Sequence, residues 1–162
     1  MMPNDNFDAT TLYIKLGTTC NSQCLFCSIA GSKIGPYLST GEVLDRVDIG
    51  REFQAGVLSL SGGEPTIRDD LLEIIKHASH VGYRVIQIQT NGRRLNNRDF
   101  VQSLVNAGAA RFIIPLHGHQ PSLHDSITQV DGSFQETIAG IRNIALVAGC
   151  DSVLGNIVIR RK

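Results

Sequence analysis

Val57-Leu58-Ser59-Leu60-Ser61-Gly62-Gly63-Glu64-Pro65, followed by Leu71, Ile74, Ile75 and Ala78, carries the fold in miniature. The apolar run reads as a strand and the glycines as a turn. The later apolar residues share one helix face, and Gly82 stops that helix. The same unit recurs on both sides. Upstream, Leu12-Tyr13-Ile14-Lys15-Leu16 is a strand. Its helix opens at Ser39-Thr40-Gly41-Glu42, where Ser39 as N-cap and Glu42 form a capping box. That helix runs to about Gln54 with Gly56 near its C-cap, and Gly50 inside it costs about 1 kcal/mol. Downstream, Val85-Ile86-Gln87-Ile88 leads into Thr90-Asn91-Gly92. A helix follows with Phe100, Val101, Leu104 and Val105 on one face, ending at Gly108. Phe112-Ile113-Ile114 leads into Pro115-Leu116-His117-Gly118-His119 and a longer loop. Ser133-Phe134-Gln135-Glu136 then reads as a second capping box, opening a helix striped by Phe134, Ile138, Ile141, Ala145 and Ala148. Gly149 stops it. A fifth run, Val153 to Ile159, precedes Arg160-Arg161-Lys162.

Strands alternating with amphipathic helices pair in parallel through right-handed crossovers, so the fold class is α/β, a partial parallel βα barrel. An eight-fold barrel takes about 250 residues, or roughly 31 per unit, so 162 residues leave room for about five units. No Pro/Ser-rich linker divides the chain, and one domain over 1–162 is expected. Hydrophobic residues at 42% and charged residues at 19% suit a soluble globular domain. Lys+Arg and Asp+Glu balance at 15 each, so no basic excess points to nucleic acid or an anionic membrane surface. No apolar window reaches the roughly 18 residues of a membrane span. The N-terminal residues lack the pattern of a secretory signal, which places the chain in the cytoplasm.

The unusual residues all follow strand ends, and in a parallel sheet those ends share one rim, where active sites are built. Cys20, Cys24 and Cys27 crowd one loop at x3 and x2 spacing. Crowding of this kind in a reducing compartment reads as metal binding. An iron–sulfur cluster normally takes four thiolates, and three leave one iron open to chemistry. A zinc site of Cys₃His type, its histidine supplied by His117, His119 or His124, is the competing reading. Cys150 lies between the last helix and strand, on the opposite rim, and is expected to be a small buried hydrophobe.

Cys20-x3-Cys24-x2-Cys27 with Phe26 before the last cysteine, and Gly62-Gly63-Glu64-Pro65 after the second strand, together resemble the radical S-adenosylmethionine superfamily, in its cofactor- and peptide-maturing branch. The resemblance spans all five strands of what would be a six-unit barrel. It implies that Cys20, Cys24 and Cys27 hold a [4Fe-4S] cluster whose fourth iron is chelated by S-adenosylmethionine. Reductive cleavage would give a 5′-deoxyadenosyl radical that abstracts hydrogen from a small-molecule or peptide substrate. It further implies an external electron donor such as flavodoxin or ferredoxin, with Phe26 beside the adenine. Gly62 and Gly63 would admit close backbone approach to a ligand, Glu64 would match the methionine ammonium, and Pro65 would fix the turn's exit. Thr90 and Asn91 would face the nucleotide or substrate.

His117 at the fourth strand's rim is a candidate cofactor contact, and His119 and His124 are candidate substrate contacts. His77 and His80 lie off the apolar stripe of their helix and read as solvated. The segment His124-Asp125 through Gly132-Ser133-Phe134 resembles its counterpart in enzymes that mature peptides and cofactors. Gly155-Asn156-Ile157 is loosely similar to the family's adenine-supporting pattern on strand five. The resemblance leads one to expect a sixth unit beyond the fifth run, and without it the last strand is expected to be an open edge. The alternative to an enzyme is a truncated, catalytically silent Fe–S or Zn-binding domain, or one whose barrel a partner completes.

Overall fold

The computed structural model describes residues 10–29 and 38–158. Ile159, Arg160, Arg161 and Lys162 of the fifth run lie outside the described residues. The strands β1 (Thr11–Lys15), β2 (Val57–Ser61), β3 (Val85–Gln89), β4 (Ala109–Pro115) and β5 (Val153–Asn156) form one sheet in sequential order, every pair parallel. Register explains which face is covered. Ile14, Leu60, Ile88 and Phe112 pair in one row, and each is almost fully buried. The neighbouring row, Tyr13, Ser59, Gln87 and Arg111, is polar. Successive residues point to opposite faces, so apolar and polar rows alternate along the strands. The apolar face packs with helices into one core.

Helix α1 (Thr40–Glu52) opens on the expected capping box, with both reciprocal bonds between Ser39 and Glu42 formed. Gly50 has a packing reason: a Cβ there would lie 2.6 Å from Leu12 Cδ2 and collide with the Tyr83 hydroxyl. That hydroxyl donates to Val47 O at 2.9 Å, so the glycine's propensity cost is offset by close contact. Helix α2 (Leu71–His80) buries Leu71, Ile74, Ile75 and Ala78 as its spacing predicts. Its His77 is not merely solvated, because Nε2 pairs with Asp48 Oδ1 of α1 at 2.7 Å. Helix α3 (Arg98–Ala107) buries Val101 and Leu104 and ends at Gly108, whose φ of 120° suits glycine.

Between His119 and Ser133 the structure departs from the expected loop. Helix α4 (Pro121–Thr128) occupies it, started by Pro121 in its first turn. The second capping box is also corrected. Helix α5 (Ser133–Ala148) has Gly132 as N-cap, and Ser133 is already helical. Asp125 of α4 performs the capping instead, accepting from Gly132 N, Phe134 N and Ser133 Oγ, each at 2.8 Å. Those three donors hold the Asp125 carboxyl below its ordinary range although burial opposes the shift. The most buried face of α5 is Ser133, Thr137, Gly140 and Ile144, one position off the apolar stripe. Small residues stand there because α5 presses against the loop after β3: a Cβ on Gly140 would collide with Gly92 O. Cys150 begins a 3₁₀ turn before β5 and is exposed, not buried.

Candidate active site

The exit of β2 is built against the exit of β1. Gly62 (φ 139°) adopts a conformation disfavoured for other residues, and a Cβ on it would lie 2.6 Å from Gly17 O. A Cβ on Gly63 would overlap the Thr19 carbonyl. Gly63 N donates to Gly17 O and Glu64 N to Thr19 O, both at 2.9 Å. The close approach that the glycines permit is therefore first of all to the backbone leading into Cys20.

Glu64 is 3% exposed, and its carboxylate, expected to match a ligand ammonium, is held by donors of the protein itself. Oε1 accepts from Thr66 N (2.9 Å), Thr66 Oγ1 (2.6 Å) and Thr90 Oγ1 (2.6 Å), while Oε2 accepts from Asn91 N (2.7 Å). Four donors occupy a buried carboxylate, which makes it a brace between the β2 and β3 loops. Pro65 starts the 3₁₀ turn Pro65–Ile67 and is buried. Thr90 is likewise committed, donating to Glu64 and accepting from Gly92 N at 3.0 Å.

Asn91 reaches back to the cysteine loop. Its Nδ2 donates to Asn21 Oδ1 at 2.6 Å and to Ser22 Oγ at 3.3 Å, with Cys20 Sγ at 3.9 Å. The loop is gripped elsewhere as well. Gln23 N and Leu25 N, on either side of Cys24, donate to Thr128 O and Ile127 O at the end of α4, both at 2.9 Å. Arg68 Nη1 donates to Leu16 O and Leu38 O, each at 3.0 Å, tying the loop's entry to its exit. The Arg68 guanidinium is itself held by Asp70, whose carboxyl it keeps below the ordinary range. Arg68, Arg93 and Asp125 are site-building residues that motif reading misses. Only the crowding of Arg and Asp beside the motifs hints at them.

Cys20, Cys24, Cys27, Gly62, Gly63 and Asn91 line one cavity of about 180 Å³. Burial pushes the Cys20 and Cys24 thiols up; Glu64 and Cys27 add to the rise at Cys20, and Cys20 and Cys27 to that at Cys24. A bound cationic group would reverse that preference and favour the thiolates. Among the described residues no three His, Cys, Asp or Glu side chains converge on a single metal-ion position. A cubane cluster asks less, since each thiolate binds its own iron. A shared cavity walled by glycines and carrying three thiols fits such a cluster.

The histidine side of the rim is a run of rings. Phe26 meets His117 edge-on at 5.0 Å, His117 stacks on His124 at 5.3 Å, and His124 meets Phe134 at 5.7 Å. His124 is 1% exposed, and its Nδ1 accepts from His117 N at 3.2 Å. The ring of His124, expected as a substrate contact, is covered here and props up the β4 loop. Burial lowers the pKa of both His117 and His124, so both favour the neutral ring. His117 differs in one respect, because its Nδ1 is buried without a hydrogen-bond partner. His119 is exposed. Phe26 is 37% exposed beside the cysteines.

Parallel βα sheets that place such thiols at a strand end define a class, the α/β iron–sulfur domains. Within that class the chain belongs to the Radical SAM superfamily, whose model matches residues 14–161. Members of that family use a [4Fe-4S] cluster and S-adenosylmethionine. A protein of Saccharolobus islandicus named "Probable GTP 3',8-cyclase" is 35% identical over 152 residues, covering 93% of this chain and 48% of its own length. Its namesake from Sulfolobus acidocaldarius is 34% identical over 152 residues, with 47% of that protein covered. The chain thus spans about half the length of the curated relatives it matches. Among solved structures, methylornithine synthase aligns with a TM-score of 0.72 at 19% identity, over 91% of this chain and 44% of the other. Streptococcus suis SuiB bound to S-adenosylmethionine aligns at 0.74 and 17% identity, over 95% and 35%. At such identities the likeness is one of fold. No helix among the described residues is long and apolar enough to cross a membrane.

Proposed function

We propose that residues 1–162 form one radical SAM core domain in which Cys20, Cys24 and Cys27 hold the [4Fe-4S] cluster. The observation that carries this is the cavity shared by the three cysteines, Gly62 and Gly63. When bound, the cluster supplies the electron that cleaves S-adenosylmethionine to methionine and a 5′-deoxyadenosyl radical. The chain's own residues bind and orient. Gly62 and Gly63 keep the β2 loop flush with the cysteine loop, and Glu64 locks that loop to Thr90 and Asn91. Phe26 and His117, in edge-on ring contact beside the cysteine loop, are the candidate cofactor contacts. His119, exposed on the same rim, is the remaining candidate for substrate contact.

The likeness to proteins named GTP 3',8-cyclase supports a finer reading: the domain is the radical-generating half of an enzyme acting on a purine nucleoside triphosphate. A reducing cytoplasm and a small electron-transfer protein as donor fit this chemistry. The test is anaerobic reconstitution with iron and sulfide, then dithionite and S-adenosylmethionine. 5′-Deoxyadenosine is expected from wild type and not from Cys24→Ala. Wild type that binds iron yet releases no 5′-deoxyadenosine contradicts the enzyme reading. GTP added to the active chain, with loss of its H3′ or H8 signal followed by NMR, then tests the substrate class.

A further inference from the structure

Between Cys20 and Cys24 the chain makes a tight turn, and Ser22 N donates to Cys20 Sγ at 3.4 Å. Hydrogen bonds to a ligand sulfur are among the means by which a protein sets a cluster's reduction potential. What holds the turn in that pose comes from elsewhere in the fold. Arg93, directly after Thr90-Asn91-Gly92, donates from Nη1 to Asn21 O, and the same nitrogen stands 3.5 Å from Ser22 Oγ. Its Nε donates to Glu136 Oε2 of α5 at 2.5 Å. The Arg93 side chain is 15% exposed and that of Glu136 37%, so the guanidinium is the shielded partner and the carboxylate meets water. Two contacts seat α5 for this purpose. Thr137 Oγ1 donates to Asn91 O at 3.0 Å, and Gly140 lets the helix meet Gly92 without a side chain between them. A planar guanidinium serves Glu136 and Asn21 from two separate nitrogens in a fixed fork, whereas an ammonium offers its donors from a single point.

We infer that Arg93, oriented by Glu136, is a positioning residue that aims the Ser22 amide at Cys20 Sγ and thereby raises the cluster's reduction potential. The inference rests on the cysteine ligation proposed above. Two effects act in the same direction. The amide–sulfur bond and the nearby guanidinium charge both stabilise the more negative, reduced cluster. The partners of Arg93 are Asn21, Ser22 and Glu136 and not a cysteine sulfur, so it acts through the Asn21 carbonyl.

The experiment is a redox titration of the anaerobically reconstituted chain followed by electron paramagnetic resonance. Wild type, Arg93→Met, Arg93→Lys and Glu136→Gln are compared, with iron content and thermal melting measured on each. Arg93→Met is expected to load iron as wild type does, but to be reduced only at a more negative potential and with an altered g-tensor. Arg93→Lys, which keeps the charge but loses the fork, should fall between the two. Glu136→Gln should move the potential in the same direction by less. Arg93→Met with a wild-type potential and spectrum overturns the inference while leaving the cysteine ligation standing. If Arg93→Met fails to fold, an unchanged potential in both Arg93→Lys and Glu136→Gln overturns it equally. A wild-type chain that holds no cluster overturns both.

Discussion

The two sides of the rim are built on opposite plans. On the Glu64 side every polar atom has a partner: one buried carboxylate takes four donors and ties two loops together. On the His117 side the rings pack by stacking, and a buried imidazole nitrogen is left without a bond. A satisfied buried network rigidifies, whereas an unpaired buried polar atom costs stability unless something binds it. The difference is one of satisfaction: the acidic motif residue ties two loops together, whereas the histidine keeps a buried nitrogen that no described residue satisfies.

If that contrast is right, substitutions on the two sides differ in kind. Glu64→Ala is expected to be the most damaging, since it strands several buried donors at about 1–3 kcal/mol each, or ~4 kcal/mol together. Urea unfolding measures this, and a loss below ~1 kcal/mol would break the contrast. Gly63→Ala should cost about 1–3 kcal/mol by overpacking against the Thr19 backbone and should also lower iron loading, because the cysteine loop must shift. His124 gives the pH test. Its folded pKa lies below its ordinary 6.5, as does that of His117, so the folded state holds fewer protons than the unfolded one in that interval. Stability is therefore full above 6.5 and falls as pH drops through it. His124→Gln should flatten that acid slope in thermal melts between pH 7 and 5. His117→Gln should have the smallest effect on stability, within about 0.5 kcal/mol, yet weaken the cluster's spectroscopic response to S-adenosylmethionine. Equal destabilisation by His117→Gln and Glu64→Ala would erase the distinction.

Among the described residues, the five strands and four of the five α-helices are legible in the sequence, because short apolar runs, a local capping box at Ser39 and glycine stops act over a few residues. Helix α4 was not, being one short amphipathic segment marked only by Pro121. The Ser133–Glu136 box was misread for a physical reason. Both residues bond outside the box, Ser133 to Asp125 eight residues back on α4 and Glu136 to the distant Arg93, and these bonds outcompete the reciprocal pair. Glu64 shows the same limit. Its place in the motif was plain, but whether its carboxylate faces a ligand or the protein depends on Thr66, Thr90 and Asn91 folding onto it. Histidines at the rim could be listed from sequence, whereas only the folded chain separates His124, covered and hydrogen-bonded at Nδ1, from His117, whose Nδ1 has no partner. Cys150 was placed on the correct rim, but as buried where it is exposed.

The cysteine ligation stands or falls on the electron paramagnetic resonance spectrum of the reconstituted, dithionite-reduced chain, recorded with and without S-adenosylmethionine. A reduced [4Fe-4S] signal that shifts its g values on addition of S-adenosylmethionine, and vanishes in Cys24→Ala, is expected. No cluster signal, or one indifferent to S-adenosylmethionine, would contradict it.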